Sequence, residues 1–204
     1  MMSPAAFKTI FGGLAKISPI SDEAANTMAA HFTHRILQKK DHWLKPGDAC
    51  DSIVFIWKGC LRIYFPFEDG SVRSARFFFE GGWVSDYESV NCNQPSNLGI
   101  DALEYTELYE VRMKDVQNLY NQFPELERVG RLIAEANVVD LCKRYRSLLH
   151  DSPLTRYTHL VTSQPEVLYR IPQHYIASYL GIEPESLSRI RRKLANDVTI
   201  PQLS

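Results

Sequence analysis

The segment from Pro172 to Leu194, PQHYIASYLGIEPESLSRIRRKL, admits few arrangements other than two short helices crossing at a tight turn. Such a crossing needs a small residue where the helices touch, a turn residue tolerant of positive φ, and a second helix with a polar outer face. Ile176, Ala177 and Leu180 give the first helix its inner face, Gly181 supplies the turn, and Ile182 plugs the corner. Pro184 suits a first helical turn, and Glu183 and Glu185 flank it at the positive end of the helix dipole. Leu187, Ile190 and Leu194 recur at helical spacing as a buried stripe; Glu185, Ser186, Ser188, Arg189, Arg191, Arg192 and Lys193 take the other faces. A cationic amphipathic helix alone fits a solvated surface equally well. The glycine turn and the helix before it favour a helix-turn-helix with double-stranded DNA as its partner. Gln173, Glu185, Ser186, Ser188, Arg189, Arg191 and Arg192 are the candidate contact residues.

A net charge of -1 is at odds with a polyanion partner until the chain is divided at Lys143. From Lys143 onward nine basic residues stand against five acidic ones, while the remainder holds 14 basic against 19 acidic. Only the C-terminal part has the charge for DNA. Cys50, Cys60, Cys92 and Cys142 form no CxxC pair, so they are expected to be small buried hydrophobes of a reducing compartment rather than metal ligands. Apolar runs fall short of a membrane span, and Lys8 and Lys16 interrupt the N-terminal apolar residues. A cytoplasmic protein with no membrane contact, metal or cofactor is therefore expected.

Two short helices, near Pro4 to Phe11 and Ser21 to His31, precede a region of short apolar runs separated by turn signals. His34 to Gln38, Ser52 to Trp57, Cys60 to Phe65, Val72 to Phe79, Ile100 to Tyr105 and Glu107 to Arg112 read as strands. Asp69-Gly70 is a strong hairpin signal, Lys58-Gly59 a weaker one, and the last two strands read as a further pair. Strands at this spacing predict a jelly roll of about eight. Phe123-Pro124 then opens a helix that meets no further proline until Pro153. Leu126, Val129, Ile133 and Ala136 form one apolar stripe on it, and Val138, Leu141, Tyr145 and Leu148 a second, rotated from the first. The first stripe is expected to face a second subunit and the later one the C-terminal domain. A core helix within one chain is the alternative, since Gly130 and Asn137 interrupt a clean seam. A helix at Leu154 to Thr162 is followed by Val167 to Ile171, read as the strand of a wing. A second wing hairpin after Leu194 is expected to be missing or reduced.

LKPGD, SIVFIWKGCLRIYF and EDG, then a long helix, then the helix-turn-helix, together resemble the Crp/Fnr family of bacterial transcription regulators over about Thr33 to Asn196. The resemblance implies an α+β chain: a β-roll (double-stranded β-helix, or jelly roll) over 1–115, a dimerisation helix over 116–150 and a winged helix-turn-helix over 151–204. It implies a homodimer that reads DNA, with RNA polymerase as a further candidate partner and no catalytic residue. By position Glu185, Ser186 and Arg189 match family residues that read base edges, Arg189 suiting guanine and Glu185 cytosine. Pro184 stands where many members carry a base-contacting arginine, so the family's target sequence does not transfer.

The resemblance also implies a small-molecule effector, and here the chain departs from its family. Cyclic-nucleotide-binding members hold the cyclic phosphate with a Gly-Glu pair and an Arg followed by Ser or Thr. Gly81 to Val111 contains no Lys or Arg, but it does contain Asp86, Glu88, Asp101, Glu104, Glu107 and Glu110, and Ser96-Asn97 falls where the Arg-Ser pair would be. A phosphate buried there would face a desolvation and repulsion cost of several kcal/mol. Cyclic AMP and cyclic GMP are thus not expected as effectors, and Gly82, Trp83, Asp86, Ser96 and Asn97 remain as candidate lining for an effector of unknown identity. With Cys50 as the first cysteine, the N-terminal cluster that the family's iron-sulfur sensors use is missing. Two rival functions remain. A cupin-like metal enzyme would need histidines inside the roll, yet none lies between Trp43 and Leu149. A protein-interaction module with a vestigial helix-turn-helix would not need Glu185, Ser186 and Arg189 in their present pattern.

Overall fold

The computed structural model describes residues 2–197. Ser3 and Ser21 accept the backbone N–H three residues on and so start α1 (Pro4–Ile17) and α2 (Asp22–Ala29). The strands that follow are β1 (Thr33–Leu37), β2 (His42–Leu44), β3 (Ser52–Lys58), β4 (Leu61–Pro66), β5 (Val72–Phe78) and β6 (Trp83–Val84). After a short helix, α3 (Tyr87–Cys92), come β7 (Gly99–Ala102) and β8 (Thr106–Arg112). Six further helices complete the described chain: α4 (Met113–Gln122), α5 (Pro124–His150), α6 (Pro153–Ser163), α7 (Val167–Arg170), α8 (Gln173–Leu180) and α9 (Pro184–Asp197). The 27-residue α5 begins at the expected proline.

The strands form two antiparallel four-stranded sheets, in the orders β1-β8-β3-β6 and β2-β7-β4-β5. Side chains alternate across each strand, so Val54, Ile56, Leu61, Ile63, Ile100 and Leu108 fill the space between the sheets. Phe55, Tyr109 and Val111 point the other way, onto Ile10, Phe11 and Leu14 of α1 and onto α4 and α5. The second sheet also buries its outer side. Cys60, Phe77 and Leu103 pack with Tyr157, Leu160, Ile176, Ala177, Leu180 and Leu187 of the C-terminal helices.

Several expectations change. Lys58-Gly59 is no hairpin: β3 already has β8 and β6 on its two edges, and Gly59, at φ +100°, turns the chain into the other sheet. β7 and β8 likewise pair in different sheets. Asp69-Gly70 does close the β4–β5 hairpin, with Ser71 N–H donating to Asp69 Oδ1 at 2.8 Å. Val167–Arg170 is helical rather than a wing strand, and among the described residues no strand follows β8. Its Leu168 and Arg170 amides bond within a tight local turn that starts at Pro165, where a lone edge strand would have had no partner. The expectation of a reduced second hairpin falls largely on 198–204, outside the described residues. Cys50 and Cys60 are buried as expected, but Cys92 and Cys142 are exposed.

Neither stripe of α5 lies where it was expected. Leu126 and Val129 are each 3% exposed because they pack on their own chain's α1–α4 layer, and Ile133 packs against the same cluster. Gly130 permits that approach, since a Cβ there would sit 2.0 Å from the Tyr120 hydroxyl. Ala136 is exposed beyond the layer's reach. Val138, Leu141, Tyr145 and Leu148, expected to face the C-terminal domain, are instead open to solvent.

The sheet-to-sheet turn yields a stability prediction. A Cβ on Gly59 would lie 2.4 Å from Thr106 Oγ1 and 2.6 Å from the Tyr105 carbonyl, whereas one on Gly70 meets nothing within 4 Å. Urea unfolding should show Gly59→Ala losing about 3 kcal/mol or more, combining a left-handed backbone cost with overpacking. Gly70→Ala should lose only about 1 to 2 kcal/mol, the backbone cost alone.

Candidate nucleic-acid interface

The helix-turn-helix forms where the sequence places it. Gly181 ends α8 at φ +68°, ψ +37°; its N–H donates to the Ser178 carbonyl, and Ile182 N–H donates to the Ala177 carbonyl, both at 3.1 Å. The Glu183 carbonyl takes the Ser186 and Leu187 amides and so starts α9. Leu187 is fully buried; Ile190 and Leu194 pack half-buried against the same cluster. The seven candidate contact residues do not all share one surface. Glu185, Ser188, Arg189 and Arg192 are exposed along α9 beside Lys193, Ser186 and Arg191 are half-buried, and Gln173 is exposed at the start of α8. Among the described residues no carboxylate pairs with Arg189, Arg191 or Arg192. This face is a row of uncompensated cations.

The opposite side of α8 lies on β5. Ser74 N–H donates to Ser178 Oγ at 2.9 Å, and the Phe77 and Tyr179 rings lie 5.4 Å apart. Arg62, almost fully buried in β4, donates from Nε and Nη2 to the two Asp101 oxygens at 2.9 and 2.6 Å. Its guanidinium lies 3.9 Å from the Tyr175 ring of α8, and its Nη1 is buried without a partner. Arg170 reaches from α7 to Glu80, donating from both Nη atoms at 2.8 Å, and also donates to Glu104. Burial acts to raise the Glu80 carboxyl, but hydrogen bonds from Arg170 and from the Glu80 and Gly59 amides outweigh it and hold the group at about 2. Sequence reasoning missed these ties, because the Arg170–Glu80 pair is 90 positions apart.

The five candidate effector residues do not converge on an open site. Asp86 accepts the Glu88 and Ser89 amides at the start of α3 and the Ser96 hydroxyl at 2.6 Å, so these two buried groups satisfy each other. Trp83 faces the helical layer, with its ring 5.1 Å from Phe55. Gly82 belongs to a turn that takes the Ile56 amide, and Asn97 is exposed. Among the described residues no group of three or more His, Cys, Asp and Glu side chains is placed to hold a metal ion, and no helix is long and apolar enough to cross a membrane.

Residues 34–123 match the cyclic nucleotide-binding domain family. Among solved structures, FixK2 from Bradyrhizobium japonicum superposes with a TM-score of 0.70 at 15% identity, over 85% of this chain and 89% of that one. The c-di-GMP-responsive global regulator CLP from Xanthomonas campestris gives 0.68 at 17%, over 90% and 96%. A protein assigned to the Crp/Fnr transcriptional regulators from Eubacterium rectale gives 0.67 at 14%, over 91% and 88%. No curated protein sequence matches the chain.

The Arg170 tie should be visible in acid. Because the Glu80 carboxyl is depressed from 4.5 to about 2, its contribution is complete above 4.5 and is lost as pH falls toward 2. Urea titrations across that window should show a shallower loss of stability in Arg170→Met than in the unmodified chain. Equal slopes would mean that the tie contributes nothing.

Proposed function

We propose that this chain, whose residues 34–123 match the cyclic nucleotide-binding domain family and whose fold is that of the Crp/Fnr regulators, is a homodimeric transcription regulator. In this reading α9 enters the major groove. The observation that carries the proposal is the exposed, unpaired cationic face of α9 on a buried apolar back. Arg189 is long enough and free enough to pair bidentately with a guanine, and Glu185 at the helix start can accept from a cytosine. Arg192 and Lys193 suit the phosphate backbone.

A dimer follows from the exposed stripe of α5. Val138, Leu141, Tyr145 and Leu148 alternate spacings of three and four, the seam of a two-helix coil, and Val138 and Tyr145 are 58% and 67% exposed. Apolar side chains of that size in a row are costly in water, and a second copy of the same helix would cover them. The seam thus starts about three turns further along the helix than the stripe that begins at Leu126.

Cyclic AMP and cyclic GMP are not ligands in this account. The phosphate position holds the Asp86–Ser96 pair, with no cation in Gly81–Val111 to offset an added anion. Calorimetry should give no saturable binding of either nucleotide, and a micromolar dissociation constant would refute the claim.

Selection from random duplexes tests the DNA reading itself. The enriched sequence should be an approximate palindrome. Arg189→Ala should relax preference at one base pair of each half-site and cost about 1 to 3 kcal/mol. If no sequence is enriched, α9 does not read bases.

A further inference from the structure

A cavity of about 750 Å³ lies between the C-terminal half of α5, β5, α6 and the end of α8. It is lined by five basic residues, Arg76, Lys143, Arg144, Arg146 and Arg156, against two carboxylates, Asp140 and Asp151. Both carboxylates are engaged. Asp140 faces Arg76 at 3.5 Å; Asp151 accepts the Ser147 hydroxyl at 2.5 Å and lies 3.8 Å from His159 Nδ1. Lys143, Arg144, Arg146 and Arg156 therefore have no acidic partner among the described residues.

Two of these cations are held rigidly. Arg144 lies 3.7 Å over the Tyr179 ring and donates to the Tyr179 carbonyl. Arg156 donates to the Asp151 and Leu180 carbonyls at 2.7 and 2.8 Å, while its Nε is buried with no acceptor. A buried donor left unpaired is destabilising, and two fixed guanidinium groups near each other repel. Burial holds the Arg144 guanidinium below its usual range; Tyr179 opposes that, and the Arg156 charge adds a smaller lowering. An anion between the two would offset the repulsion. At about 100° per residue, Lys143 and Ser147 lie roughly half a turn round α5 from Val138 and Tyr145, while Leu141 of the exposed stripe borders the cavity.

We propose that this cavity binds a small molecule carrying one or more phosphate groups, whose oxygens bridge Arg144 and Arg156 with Lys143 at the rim. The volume falls within the range of small-molecule sites. Since its walls come from the β-roll, α5 and the helix-turn-helix, occupancy bears on how the DNA-reading unit is held. As the input of a regulator the site rests on the function proposed above; as an anion site it stands apart from it.

The test is calorimetric titration of the full chain with inorganic pyrophosphate, beside a nucleoside diphosphate. Saturable binding of pyrophosphate at one site per chain is expected, with Lys143→Gln and Arg156→Gln each weakening it about tenfold or more. Lys143 is exposed and makes no bond within the chain among the described residues, so its variant keeps the test valid if Arg156→Gln fails to fold. Tighter binding of the nucleoside diphosphate assigns the site to a nucleotide, and equal binding to bare phosphate groups; either supports the proposal. Arg189→Ala should leave pyrophosphate binding unchanged while weakening DNA, which separates failure of this site from failure of the DNA reading. The proposal is overturned if the unmodified chain gives no saturable heat or if the Lys143 variant binds as well as it does. It is also overturned if the variants weaken DNA alone, which would make the cluster a surface for the DNA backbone.

Discussion

The outer face of the second sheet is the surface on which the rest of the molecule depends. Residues 151–197 form a small helical unit that, left to itself, has little core to bury. Cys60, Phe77 and Leu103 supply what is missing by packing into the cluster around Leu160, Leu180 and Leu187. The helix that would stand behind the recognition helix is thus seated on a β-sheet, with Ser178 bonded to the β5 backbone. Around this apolar contact sit the charged ties, Arg62–Asp101 against Tyr175 and Arg170 against Glu80 and Glu104. The buried Arg62–Asp101 pair penalises any other placement more than it adds net stability. The outward face of α9 is left bare because its inward face is so fully engaged.

Helix α5 links these parts by presenting different chemistry along its length. Its first half is a core helix, closed by Leu126 and Val129. Its second half carries an exposed apolar stripe, Val138 to Leu148, and cationic side chains that line the cavity against β5 and α6. Charge in the chain is distributed to match: the roll segment from Gly81 to Val111 is acidic and the walls around α5 and α6 are basic. A phosphate-bearing molecule would find its attraction in the cavity beside α5 rather than inside the roll.

Much of this was legible in the sequence, for reasons that can be stated residue by residue. Gly181 and the Leu187, Ile190, Leu194 spacing specify the helix-turn-helix because positive φ and helical period are local properties. Pro124 marks the start of α5 for the same reason. What failed depended on partners distant in sequence. Lys58-Gly59 looks like a hairpin turn, and only the neighbours of β3 show that the chain must leave its sheet. The sequence shows two apolar stripes on α5 but not what covers each; burial under α1 and α4 takes the first and leaves the second exposed. Val167–Arg170 has β-prone side chains, yet with no strand to pair with it closes a helical turn. Arg62, Arg144 and Arg156 carry no local signal, since their roles arise from residues tens of positions away.

The central claim is that a pair of these chains, joined through the second stripe of α5, places two α9 helices in successive major grooves. Chemical footprinting of the complex on a selected duplex tests it most directly. The account predicts two protected major-groove patches on one face of the DNA, centred about 34 Å apart. A single patch, or protection spread evenly along the duplex, would contradict it.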